Sequence, residues 1–180
     1  HPEGAPITTL LGAHVTIWGF GSIGQTLAPL FTALGAKASG IARSTGERAG
    51  YPVVATEEKD ELLARTDLLV MILPSGEATA DSLDAAVLKT LPDTAYVVNV
   101  GRGSTVDEAA LIEALEEGRI AGAAIDVAKT EPLPAEDPLW GAPHLIITPH
   151  AAGGRPVGAE ELIGHNLKVL RGDGEFRNRM

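Results

Sequence analysis

Cysteine is absent from the 180 residues, which excludes disulfides, thiolate metal sites and cysteine nucleophiles together. Aromatic side chains are scarce at 4% while glycine is plentiful at 21 residues, a balance that suits an α/β enzyme rather than a β-sandwich. Basic residues number 14 against 24 acidic ones, giving a formal charge of −10. Such a surface repels phosphate backbones and argues against a nucleic-acid partner. No apolar run approaches the roughly 20 residues needed to span a bilayer, and no signal peptide opens the chain. No His, Asp or Glu cluster has metal-ligand spacing, so no metal is expected. The expectation is a soluble, acidic, cytoplasmic domain with no membrane partner. Because the chain opens His1-Pro2 rather than with Met, a processed or excised piece is also expected.

What is present is an alternation of short apolar runs with helical patterns. Residues 13–18, 36–42, 67–73, 95–100, 121–127 and 145–148 read as strands, continuously apolar or small, as parallel strands covered on both faces are. Between the first two, Ile23, Leu27, Leu30 and Leu34 recur at helical spacing before Gly35, with Pro29 inside predicting a kink. Thr105 and Glu108 have capping-box spacing at the head of a helix that stops at Gly118. Glu57, Glu58, Asp60 and Glu61 read as a solvated helix start, and a last helix runs from about 158 to 170 before a polar tail. This order predicts right-handed crossovers and a doubly wound parallel sheet of Rossmann type, in three αβα layers.

The first strand runs into Gly19-Phe20-Gly21-Ser22-Ile23-Gly24, a G-x-G-x-x-G turn opening a helix. Gly19 permits the tight turn, Gly21 lets backbone approach a pyrophosphate, and Gly24 lets helix and strand pack closely. The N–H groups at the helix start, from Ser22 and Ile23 onward, then face the phosphates. The alternative is a plain tight turn. The second strand ends in Arg43-Ser44 and offers no carboxylate for a ribose 2′-hydroxyl. An Arg there pairs with a 2′-phosphate, so NADP(H) is expected over NAD(H), the alternative being a solvated surface Arg.

Three more strand ends carry polar residues: Arg102 between Gly101 and Gly103, Asp126 followed by Glu131-Pro132, and His150 after Thr148-Pro149. Parallel strands end on one edge, so these four are expected to border one crevice with the glycine turn. An Arg holds a carboxylate by two parallel hydrogen bonds and polarises the neighbouring carbonyl. A His protonates the oxygen as hydride arrives, and a Glu behind it stabilises the imidazolium and fixes its orientation. The residue types fit reduction of a 2-keto acid. Taken singly, Arg102 ties loops, Glu131 caps a turn and His150 is a core histidine. Trp140 either walls the substrate pocket or packs on its own or a neighbouring subunit.

The chain resembles the D-isomer-specific 2-hydroxyacid dehydrogenases, specifically their nucleotide-binding domain. The matching text is Gly19–Gly24, Leu73-Pro74 with Thr79, Asn99–Gly103, Ile125–Val127, Glu131-Pro132, Pro138–Trp140 and Thr148–His150. The resemblance implies that Arg102 binds the substrate carboxylate and carbonyl, and that His150 is the acid/base with Glu131 as partner. It implies a place near the nicotinamide for Asp126, and cofactor contacts from Leu73, Pro74, Thr79, Val100, Gly101 and Ala152. Arg43-Ser44 is similar to the glyoxylate/hydroxypyruvate reductase branch. Relatives carry a second, substrate domain, so residues 1–12 are expected to be the remnant of a linker helix. Residues 13–170 are expected to form the dinucleotide domain and 171–180 a returning tail. The isolated piece then binds dinucleotide and turns over poorly, and the complete enzyme pairs as a homodimer. Two rivals stand beside this reading. One is a dinucleotide-responsive, non-catalytic interaction module of corepressor type. The other is a β-hydroxyacid dehydrogenase with a catalytic lysine, for which Lys129 and Lys168 are not placed on helix faces that make a strong case.

Overall fold

The computed structural model describes residues 9–153, 158–172 and 174–177, in two compact units, His1–His150 and Ala151–Met180. The expected domain from 13 to 170 runs across that division. Of the expected linker helix, residues 1–8 lie outside the described residues, and 9–12 form a turn.

The first unit is an eight-stranded sheet. Its strands are β1 (His14–Trp18), β2 (Lys37–Ala42), β3 (Gly46–Arg48), β4 (Tyr51–Ala55), β5 (Leu68–Met71), β6 (Tyr96–Asn99), β7 (Gly122–Ile125) and β8 (Leu145–Ile147). They lie in the order β3-β4-β2-β1-β5-β6-β7-β8, all parallel except the β3–β4 pair at one edge. Strand order reverses at β1, the switch point where doubly wound sheets open a crevice at their carboxyl ends. The sequence patterning therefore reads the fold class correctly, while β3 and β4 escape it.

One face of the sheet packs against α2 (Asp60–Leu63), α3 (Ala85–Thr90) and α4 (Glu108–Glu116) through Leu69, Met71, Val97, Leu88 and Leu111. The other packs against α1 (Ser22–Ala33) through Val15, Ile17, Phe20 and Ala28. Alternate residues of β5 serve the two cores, Leu69 and Met71 one and Val70 the other. That alternation is what a strand covered on both faces requires.

Two helix details differ from the sequence expectation. In α1 the buried residues are Gly24 and Ala28, whereas Ile23, Leu30 and Leu34 are exposed. The helix lies so close to the sheet that a Cβ on Gly24 would stand 3.1 Å from the Gly19 carbonyl oxygen and 3.2 Å from Ile17 Cγ2. Only small residues fit that contact. The helix continues through exposed Pro29 to a C-terminal Gly35 at φ +85°. In α4 the cap is Asp107, whose carboxylate accepts from Ala110 N, and not Thr105. The buried Thr105 instead donates to the Arg102 carbonyl at 2.7 Å. Thr79 closes a short 3₁₀ turn, Glu77–Thr79.

The second unit holds α5 (Ala159–Leu170), with Glu175 and Arg177 folded back onto it. Asn166 donates to the Arg177 carbonyl and accepts from its N–H, both at 3.1 Å. None of the described helices is long and apolar enough to cross a membrane.

Candidate active site

The register of the central strands aligns Met71, Asn99, Ile125 and Ile147 across the sheet. Each candidate residue follows within a few positions of that line, so one edge collects them all: Leu73, Arg102, Asp126 and His150. Two hollows lie along this edge. A hollow of about 720 Å³ includes Gly19, Gly21, Arg43, Leu73, Pro74 and Thr79 in its lining. A hollow of about 580 Å³ includes Asp126, Glu131, Trp140, Thr148 and His150.

The loop after β6 joins them. A Cβ on Gly101 would fall 2.6 Å from the Leu73 carbonyl oxygen, on the side of the first hollow. One on Gly103 would fall 1.9 Å from the Ala128 carbonyl carbon, on the side of the second. Both glycines are excluded from carrying a side chain, and Arg102 stands exposed between them. Fully buried Asn99 shapes this loop, accepting from Gly101 N at 3.0 Å and donating to the Arg102 carbonyl at 3.1 Å. Arg102 Nη1 donates to the Gly101 carbonyl at 2.6 Å. Val100, Gly101 and Arg102 of this loop line neither hollow, and neither do Ser22, Ile23, Gly24 and Ser44.

At the glycine turn, Gly19 sits at φ +103° with its missing Cβ only 2.6 Å from the Ile72 carbonyl oxygen. Gly21 differs. Its φ is −90°, open to any residue, and a Cβ there meets nothing within 4 Å. Neither backbone conformation nor internal packing requires glycine at position 21. It is also the N-cap of α1 with no side-chain cap and no acidic residue in the first turn, so Ser22 and Ile23 open the helix at its electropositive end. Thr79 Oγ1 donates to the Pro74 carbonyl at 2.7 Å and fixes the loop across the hollow.

In the second hollow His150 Nδ1 lies 2.7 Å from Glu131 Oε2, while Glu131 Oε1 accepts from Ala128 N at 3.0 Å. A carboxylate only accepts, so Nδ1 carries the proton and Nε2 is left for chemistry. His150 adopts φ +53°, a left-handed conformation that few non-glycine residues hold. The hydrogen bond from His150, then that from Ala128, holds the Glu131 carboxyl below the usual carboxylate range. A lowered folded value means that the pair's contribution is complete above the ordinary Glu range and is lost as pH falls through the lowered value. In His150→Ala the Glu131 midpoint, followed by carboxyl carbon NMR, is expected to move up toward the ordinary value. An unmoved midpoint would contradict the assigned cause.

Buried Asp126 accepts from Thr148 Oγ1, a partner that the sequence reading left without a role. Trp140 donates from Nε1 to the Pro134 carbonyl at 2.7 Å, so it both lines the hollow and packs on its own loop. Lys129 is taken up by Asp81 at 2.6 Å, which raises its pKa and keeps it charged, the opposite of what a catalytic lysine base requires. Among the described residues no group of three potential ligands forms a metal site. Ala152 lies in the second unit and is exposed.

The switch-point edge, the three-glycine turn and the uncapped helix behind it define a Rossmann-type dinucleotide-binding domain. The chain belongs to the D-isomer specific 2-hydroxyacid dehydrogenase family, whose NAD-binding-domain model matches residues 1–152. It is 38% identical over 158 residues to glyoxylate/hydroxypyruvate reductase A of Salmonella paratyphi B, covering 87% of this chain and 51% of that protein. The chain thus spans about half the length of this curated relative. A D-isomer specific 2-hydroxyacid dehydrogenase family protein from Aeromonas salmonicida superposes with a TM-score of 0.87 at 34% identity, covering 97% of this chain and 57% of that one. The D-isomer specific 2-hydroxyacid dehydrogenase from Xanthobacter autotrophicus Py2, solved with NADPH and MES, superposes with a TM-score of 0.86 at 33% identity, covering 93% and 70%.

Proposed function

We propose that this chain is the cofactor-binding half of an NADP(H)-linked reductase that interconverts a small 2-keto acid and its D-2-hydroxy acid. The observation that carries the reading is Gly21, a glycine that nothing inside the protein requires, at an uncapped helix start facing an open hollow. A pyrophosphate approaching the backbone supplies the missing requirement. The hollow has the chemistry for a dinucleotide: Gly21 lines it directly ahead of the uncapped start of α1, and Arg43 lines it where the second strand ends, with Ser44 next in the chain. Those two residues support a 2′-phosphate over a bare ribose, as does the NADPH found in the Xanthobacter relative.

When bound, the nicotinamide gives or takes the hydride. Arg102, exposed on the loop after β6 at the same sheet edge, holds the substrate carboxylate and polarises its carbonyl. His150 Nε2 delivers a proton to the carbonyl oxygen and recovers it in the reverse direction. Glu131 keeps the imidazole in the tautomer and orientation that this requires, and stabilises it once charged. Thr148 donates to Asp126 and orients its carboxylate, which would lie near the nicotinamide of a bound cofactor.

Residues 1–12 and 171–180 are then the flanks through which a substrate domain joins this half. Glyoxylate and hydroxypyruvate are the substrates suggested by the Salmonella relative's name. Closure of a second domain excludes water and grips substrate from the far side. The complete protein is expected to oxidise NADPH with glyoxylate or hydroxypyruvate, while the 180-residue chain binds NADPH and turns over poorly. Should the complete protein show no turnover with small 2-keto acids, the function is wrong. A kcat/KM of about 10⁴ M⁻¹s⁻¹ or more for the chain alone would refute the two-domain division of labour.

A further inference from the structure

The edge hairpin missing from the sequence reading does more than extend the sheet. It joins β3 to β4 through Ala49 and Gly50, at φ +52° and +82°, the type I′ conformation whose twist matches antiparallel strands. That turn pairs Arg48 directly with Tyr51, so their side chains share one face. Both reach Phe20, the middle residue of the glycine turn. The Tyr51 ring lies 6.1 Å from the Phe20 ring, centroid to centroid, and Arg48 Nη1 donates to the Phe20 carbonyl at 3.3 Å. From Nη2, Arg48 also donates to Ser44 Oγ at 3.0 Å and to the Ser44 carbonyl at 3.4 Å. One half-buried guanidinium therefore bridges the phosphate turn and the loop that ends the second strand.

The charge around it is one-sided. The first hollow is lined by two cations, Arg43 and Arg48, and by no aspartate or glutamate, on a chain of formal charge −10. Among the described residues neither arginine forms an ion pair with a carboxylate. Five N–H donors are available on Arg48, and its bonds to Phe20 and Ser44 use three. Two guanidiniums at a hollow without an internal anion call for one from outside.

We propose that Arg48 determines cofactor specificity, clamping the 2′-phosphate of NADP(H) with Arg43 while presenting the Ser44 hydroxyl to the same group. The inference rests on the NADP(H) reading above and adds to it a residue from the antiparallel hairpin. A guanidinium rather than an ammonium suits the position, because only the planar fork reaches Phe20 and Ser44 and still offers donors to a phosphate.

The test measures Kd for NADPH, NADH, 2′,5′-ADP and 5′-AMP with the wild-type chain and with Arg48→Gln, Arg48→Lys and Arg43→Ala. Folding of each variant is checked by thermal melt. Loss of a charge-assisted phosphate contact is expected to weaken NADPH and 2′,5′-ADP by about tenfold to a hundredfold in Arg48→Gln. NADH and 5′-AMP are expected to bind unchanged, and Arg48→Lys to fall between. Equal losses for all four ligands would overturn the proposal and reduce Arg48 to a structural clasp on Phe20. An Arg48→Gln that keeps the NADPH preference while Arg43→Ala loses it would overturn Arg48's role alone. A wild-type chain with no preference for NADPH would overturn the cofactor reading and this proposal together.

Discussion

In the complete protein, His150→Gln is expected to lower kcat for 2-keto acid reduction by about 10²–10⁴-fold, the range removed with a general acid, while leaving the NADPH Kd unchanged. Glutamine keeps a donor within reach of Glu131 but has no proton to exchange near neutral pH. The separation of effects follows from the two hollows: His150 lines one and the glycine turn the other. Glu131→Gln is expected to act in the same direction by a smaller factor, because it leaves His150 in place while replacing a carboxylate that only accepts. Stopped-flow hydride transfer together with NADPH titration checks both. Full activity in His150→Gln would remove it as the acid/base and reopen the lysine-based alternative.

The second large effect separates two glycines that a motif search treats alike. Gly21→Ala is expected to fold as the wild type does, losing at most about 1 kcal/mol for the poorer N-cap. Its NADPH Kd is expected to rise by about tenfold to a hundredfold, as a methyl group enters the space where phosphate meets backbone. Gly19→Ala is expected to fail by a different route. Its φ of +103° and the 2.6 Å approach to the Ile72 carbonyl force the backbone itself to move. A loss of more than about 2 kcal/mol follows from left-handed strain and overpacking, which lowers Tm by roughly 5 °C in a domain of this size. Thermal melts paired with NADPH titration distinguish the two. If Gly21→Ala bound NADPH normally, the open space above it would not be the phosphate site.

The same contrast explains what was legible in the sequence. The glycine turn reads clearly because strand, turn and helix each carry their own local signal at fixed spacing. Arg102, Asp126 and His150 read clearly because each breaks an apolar run at its end, and parallel topology brings such ends to one edge. The face of α1 did not read, since its contact with the sheet is made by Gly24 and Ala28. Periodicity of the large residues Ile23, Leu30 and Leu34 locates the helix but marks the side left exposed. The β3–β4 hairpin was hidden by its brevity, by Pro52 within β4, and by an Ala-Gly turn without the usual Asn or Asp. With it went Arg48, whose importance comes only from what it touches. Asn99 sat inside a recognised motif, yet its work on the Arg102 loop is done by buried hydrogen bonds that spacing does not reveal.

The most direct test is a parallel titration of this chain with NADPH and NADH, followed by heat release or by quenching of Trp18 and Trp140. Saturable binding of both, tighter for NADPH and losing that preference in Arg43→Ala, is the predicted result. Binding of neither would contradict the claim that these residues form a competent cofactor half.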